Sequence, residues 1–288
     1  MTHDQAFLQA IIEGPDDDAP RLVYADWLDD HGQPVRADFV RVQCKLARVF
    51  EGDPRRPELL EREWKSLAEH GQEWAGPLRD AVSSWEFRRG FIEAVTVRGD
   101  AGAGRFIRQA PTLFRLALIR HFSFRPETTF RRTTGPVAIT VAETDALGPV
   151  RLRELTQLPG LLRVRTLDLA DNELDYRSAL VLAAAPNLAG LKSLDLSTNR
   201  VGNEGARALA NSPHLRGLEE LNLCGGEDRQ ADWSVSGSTI PNVGDEGALA
   251  LANSPHLGGL RSLLLYENRL SDEAQQALRA RFGGRVHL

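Results

Sequence analysis

Lysine is scarce in this chain of 288 residues: only Lys45, Lys65 and Lys192 accompany the arginines among 35 basic residues. A GC-rich genome produces that bias as readily as selection for guanidinium chemistry, so arginine identity alone assigns no function. Cysteine is scarcer still. Cys44 and Cys224 stand far apart with no second thiol at metal-ligand spacing, which excludes a disulfide framework and a structural zinc site. No apolar run approaches the roughly 20 residues of a membrane-spanning helix. The opening MTHDQAFLQAIIEGPDDD has no basic n-region and no long apolar h-region, so a cytoplasmic protein outside the membrane is expected. HExxH, GxSxG and SxxK strings are missing, and no paired-carboxylate constellation can be located. A protein that is not an enzyme, with no cofactor and no metal, is the expectation.

What is present is a globular balance, 42% hydrophobic and 26% charged residues, long enough for about two domains. The net charge of -5 is unevenly spread. Residues 88–132 hold ten arginines against Glu93, Asp100 and Glu127, a local +7, and the remainder sums to -12.

A repeat sets the architecture. Val164, Leu167, Leu169, Asn172 and Leu174 fit LxxLxLxxNxL, and Leu191, Leu194, Leu196, Asn199 and Val201 return 27 residues later. Leu218, Leu221 and Leu223 follow after another 27, then Leu260, Leu263, Leu265, Asn268 and Leu270 after 42. VGNEGARALANSPHLRGL returns nearly verbatim as VGDEGALALANSPHLGGL, which places an insertion at about 225–241. Earlier copies are degenerate: Ile92, Val95, Val97 and Ile119, Phe122, Phe124 keep the spacing, whereas Pro136, Ile139, Val141 is out of phase. Which of 119–124 and 136–141 enters the main sheet is left open. Alternate leucines place side chains on the inner side of a short parallel strand, and the following GARALA and GALALA runs are helix-forming. Asn172, Asn199 and Asn268 are expected to form an asparagine ladder that satisfies backbone groups where the chain leaves each strand. Gly226 stands at that place in the third repeat, so the ladder is expected to break there.

This pattern resembles the leucine-rich repeat family, in its ribonuclease-inhibitor-like class with a helical convex side. The resemblance implies an α/β fold, a leucine-rich-repeat solenoid with parallel strands concave and helices convex; before about residue 86 the apolar period is helical, so a small all-helical domain is expected ahead of it. The expected divisions are 1–86 for the helical module and its linker helices, 87–160 for degenerate repeats with an inserted loop or hairpin, and 161–288 for regular repeats.

In the helical module the apolar stripes are Phe7, Leu8, Ile11, Ile12; Leu22, Val23, Trp27; Phe39, Val42, Leu46, Val49; and Leu59, Leu60, Trp64, Leu67. Asp18, before Ala19-Pro20, is expected to cap the second helix. The string FLQAIIEGPDDDAPRLVYADWLDDHGQPVRADFVRVQ resembles the repeat-companion domain that opens many leucine-rich-repeat proteins of planctomycetes and some other large-genome bacteria. Gln33 and Ala37 depart from that pattern. The resemblance implies a fold and no assigned activity.

Candidate chemistry is sparse. Asp16, Asp17, Asp18, Asp26, Asp29 and Asp30 lack the loop spacing of a calcium site and are read as capping and solvated acids. Gly99, Gly102 and Gly104 run GxxGxG, without the order or the following lysine of a phosphate-binding loop. His214 and His256 are repeated turn residues without convergent partners. The concave face is the stronger candidate. Residues between the leucines point out of the sheet, so Asp168, Asp195 and Asn222 form one column, an acidic stripe inviting a basic protein or peptide. Glu220, Glu267, Leu264 and Tyr266 lie beside it, and the last two form the expected aromatic-apolar hot spot, which Trp233 of the insertion either joins or leaves by folding back over the solenoid. The alternative is nucleic-acid binding by the arginines of 88–132, with Phe106, Phe114, Phe122, Phe124 and Phe130 as stacking platforms. A hydrolase or phosphate-binding enzyme ranks behind both. A monomer is expected.

Overall fold

The computed structural model describes residues 3–125, 147–227, 239–240 and 242–288. By its internal contacts the chain divides into Met1–Val95 with Thr112–Ile119, and Thr96–Pro111 with Arg120–Leu288.

The first unit holds helices α1 (His3–Glu13), α2 (Ala19–Asp30), α3 (Pro34–Leu46) and α4 (Arg56–Ala75). Pro20, Pro34 and Pro57 sit in the first turns of α2, α3 and α4, where a missing N–H loses no helical bond. Ala25, Leu28, Ala37, Val40 and Cys44 pack α2 on α3, with Leu22, Tyr24 and Trp27 against them. Asp18 does not cap α2. Asp17 Oδ1 accepts the Ala19 N–H instead, because the Asp18 carboxylate is drawn to Arg48 at 2.8 Å and Arg89 at 3.8 Å. The fourth stripe is also only partly internal. Leu59 is buried, but Leu60 and Trp64 are exposed, since α4 turns Leu59, Gly71 and Ala75 inward and a stripe of four apolar positions is wider than that contact.

Strands β1 (Ser84–Arg88) and β2 (Phe91–Arg98) follow as hydrogen-bonded neighbours, so the segment that the repeat spacing marks as a first degenerate strand begins as a hairpin. Arg89 and Gly90, with φ of 47° and 88°, form its two-residue turn. The turn is held tightly. A Cβ on Gly90 would lie 2.7 Å from Val40 Cγ2, while the Gly90 N–H donates to Gln43 Oε1 and Arg36 Nη2 donates to the Gly90 carbonyl, both at 2.6 Å. Arg36 sits among the Trp74, Phe39 and Phe87 rings, and burial lowers its pKa to about 10. Arg21 is fully buried, donating to Glu93 of β2 and to the Pro15 carbonyl at 2.8 Å each.

The second unit carries the repeats. β3 (His121–Arg125), β4 (Thr166–Asp168), β5 (Ser193–Asp195), β6 (Glu220–Asn222), β9 (Ser262–Leu264) and β10 (Val286–His287) pair in parallel, in that order. Residues 121–125 thus join the sheet; residues 136–141 lie outside those described. Phe122, Leu167, Leu194, Leu221, Leu263 and Val286 share one row of the register. The first five are buried, beneath helices α6 (Pro149–Thr156), α7 (Tyr176–Ala183), α8 (Gly202–Ala210), α9 (Asp245–Ala252) and α10 (Asp272–Phe282), which pack each on the next. Helix α5 (Gly99–Leu116) starts at the glycine-rich stretch. Close helix packing accounts for Gly205 and Gly247 in the duplicated segments: a Cβ would fall 2.8 Å from Ala179 Cβ and 3.0 Å from Ala206 Cβ respectively.

Three polar columns tie the turns together. In the asparagine ladder, Asn199 Oδ1 accepts the N–H groups of Asn172 and Leu174, and its Nδ2 donates to the Leu169 and Leu196 carbonyls. Asn172 donates to Phe124 O, and Asn268 to Leu223 O and Leu265 O. The expected break at Gly226 does not occur. Asn242, on the far side of the insertion, accepts the Val201 N–H and donates to Leu196 O, each at 2.8 Å, and its own N–H is taken by Asn268 Oδ1. The insertion leaves the ladder after Cys224 and returns at Asn242; β7 (Gly226–Glu227) and β8 (Thr239–Ile240) pair antiparallel at its base. A second column runs along the helix starts, where Asn203 Oδ1 accepts from Gly244 and Asp245 Oδ1 from Ser271. A third closes the helix ends: the Ser212 and Ser254 hydroxyls donate to Ala183 O and Ala210 O of the preceding helices.

Candidate functional site

On the face of the second unit's sheet opposite the helices the described strand side chains are half-buried or exposed. Along each of β4, β5 and β9 a buried leucine lies between two half-buried residues, as the two-residue period of a strand requires. The register places Ser123, Asp168, Asp195, Asn222, Leu264 and His287 in one column and His121, Thr166, Ser193, Glu220 and Ser262 in the next.

The Asp168–Asp195–Asn222 column is therefore real, and its charge is largely engaged from within. Asp168 is paired with Arg125 and accepts from the Ser123 hydroxyl and the Ala170 N–H. Asp195 accepts from the Ser197 N–H and hydroxyl and from Asn222 Nδ2 at 3.0 Å. Asn222 Oδ1 accepts the Cys224 N–H. All three side chains accept from the backbone two residues on, a local turn that ends each strand. At the leading edge of the strands Glu219 receives Lys192 at 3.0 Å and Arg261 at 3.3 Å, and the Lys192 hydrogen bond holds its carboxyl below the usual range.

The fourth repeat breaks this polarity. Leu264 takes the column position of Asp168 and Asp195, and Tyr266 beyond it is 47% exposed, its ring 6.2 Å from that of His287. Glu220 and Glu267 are exposed on either side. Cys224, two residues past the end of β6, is a half-buried free thiol whose pKa burial raises. Trp233 lies outside the described residues. Arg125 and Ser123, the partners of Asp168, are not evident from the leucine spacing, since both come from a degenerate repeat whose place in the sheet the sequence leaves open.

The stacking platforms of the alternative reading sit elsewhere. Phe106, Phe114, Phe122 and Phe124 are buried, none more than 4% exposed, and Phe130 lies outside the described residues. Arg88 and Arg89 of the arginine segment face Glu86, Asp16, Asp18 and Glu93.

Residues 191–210 match the family model described as Leucine Rich repeat. They run from Leu191 through β5 and Asn199 to the end of α8, so the match covers one strand–turn–helix unit. The protein thus carries leucine-rich repeats in a mixed α/β fold with a mostly parallel sheet. No curated protein matches the chain. Among the described residues no helix is long and apolar enough to cross a membrane, and no group of three or more His, Cys, Asp or Glu is arranged to hold a metal ion.

Proposed function

We propose that this protein is a cytoplasmic, non-enzymatic interaction module that binds a protein or peptide on the open, concave face of a leucine-rich-repeat solenoid. The observation that carries the reading is the presence of Leu264 and half-exposed Tyr266 on a face that is otherwise polar. An apolar-aromatic patch on preformed strands offers a partner burial at little ordering cost. Two free thiols suit a reducing compartment. On this reading residues 1–86 form a companion domain, residues 87–160 degenerate repeats and residues 161–288 the regular solenoid. Burial of the phenylalanines that would stack on bases favours a protein over a nucleic acid.

The test is affinity capture from nuclease-treated lysate of the source organism, with immobilised wild type beside Leu264→Asp/Tyr266→Ala, both checked by circular dichroism. A protein held by wild type alone supports the reading. Equal retention by both moves the binding site away from this face.

A further inference from the structure

The open face carries cations and carboxylates, but they are unequally engaged. Arg125 is used on Asp168, Lys192 and Arg261 share Glu219, and Arg165 donates to the Gly190 carbonyl at 2.5 Å. Arg285 donates to the carbonyls of Leu260 and Phe282. The two carboxylates that flank the patch differ from these. Among the described residues, neither Glu220 nor Glu267 has a side-chain hydrogen bond or ion pair, and both are exposed. Glu220 pairs with Ser262, one outward position before Leu264, and Glu267 directly follows Tyr266. Glu220 thus lies one strand over and one outward position before Leu264, Glu267 adjoins Tyr266, and among the described residues neither carboxylate has a counter-charge.

We propose that Glu220, Leu264, Tyr266 and Glu267 form a seat for a lysine or arginine side chain projected by a protein segment. The inference rests on the open-face reading and names the chemistry of its partner. The aliphatic stem of such a residue covers Leu264 and the Tyr266 ring, the cation faces the ring, and its N–H groups reach one of the two flanking carboxylates while the other adds a longer-range attraction. Phosphate or an acidic peptide finds no such complement here. The attraction that the Asp168–Asp195 column promised thus belongs to a different pair of acids, Glu220 and Glu267.

The experiment pans a phage-displayed random dodecapeptide library on the immobilised full-length protein and measures the selected peptides, dye-labelled, by fluorescence polarisation. Two variant pairs are compared, Glu220→Gln/Glu267→Gln and Leu264→Ser/Tyr266→Ser, each with its thermal melt recorded. The expected result is enrichment of lysine or arginine beside apolar residues. Affinity should fall about ten-fold in the glutamine pair at low salt, with a flatter salt dependence, and further in the serine pair. Peptides that need Leu264 and Tyr266 but ignore the glutamine pair overturn the cation seat and leave the open-face reading standing. Peptides indifferent to both pairs overturn both, and a library that yields no enrichment overturns the seat.

Discussion

The side-chain amide of Asn242 donates to the carbonyl of Leu196 at 2.8 Å, across 46 residues of sequence. This bond, with the Val201 N–H accepted by Asn242 Oδ1, supplies the rung that Gly226 cannot. The 42-residue repeat is therefore of ordinary length at the level of its polar spine, 26 residues from Asn242 to Asn268 against 27 from Asn172 to Asn199, with the extra residues inserted between Cys224 and Asn242. Removing the amide strands a buried N–H and a carbonyl. Asn242→Ala should destabilise the protein by about 2 kcal/mol in urea unfolding, matching Asn268→Ala, and an effect below about 0.5 kcal/mol would show that this rung does not support the stack.

Gly205 sets two opposing magnitudes against each other. Alanine in a helix interior is favoured over glycine by about 1 kcal/mol, but the added methyl would lie 2.7 Å from Val201 Cγ1 and 2.8 Å from Ala179 Cβ. Overpacking of that kind costs about 1–3 kcal/mol. Packing wins, so Gly205→Ala should lower the melting temperature. A rise would mean that α7 and α8 separate easily.

Arg21 and Glu93 form a pair whose side chains are 0% and 3% exposed. Burial lowers the Arg21 pKa, and Glu93 opposes that shift. Glu93→Gln leaves Arg21 charged, buried and without its counter-ion, and Arg89, 3.7 Å from the same carboxylate, adds a second cation. The expected loss is about 3 kcal/mol. Arg21→Met/Glu93→Met should lose less than the single variant, as calorimetry of the two will show.

Burial pushes the Cys44 thiol up to about 11 from an ordinary value of 9.0. Between those values the unfolded chain ionises while the folded protein keeps its proton, so this group's contribution to stability is intact below pH 9 and declines as pH rises toward 11. The slope of stability against pH in that window should be shallower in Cys44→Ala. Ellman's reagent at pH 8 should label Cys224 slowly in the native protein and Cys44 only after unfolding.

Much of this fold is legible in the residues. The leucine spacing names the strands of the second unit, and the asparagines at 172, 199 and 268 name three rungs. Asn242 was within reach too: the duplicated VGNEGARALA and VGDEGALALA are each preceded closely by an asparagine, Asn199 and Asn242, but a search at fixed distance from the leucines lands on Gly226. The hairpin of β1 and β2 had a weaker signal, Arg89-Gly90 between two apolar-aromatic runs, because a non-glycine residue with positive φ does not announce itself. Trp64 shows the limit of periodicity, which marks an apolar stripe without saying how much of it finds a neighbour. The engagement of Asp168 was hidden for a different reason: Arg125 reaches it across a degenerate repeat, and charge columns counted along the strands omit such partners.

The most direct test of the account places a photo-crosslinking benzoylphenylalanine at Ser193 on the open face or at Glu204 on the outer side of α8, in the full chain expressed in the source organism. The account predicts a partner adduct from position 193 that disappears in the Leu264→Asp/Tyr266→Ala background, and none from position 204. An adduct from position 204 alone would contradict it, placing the binding surface on the helices.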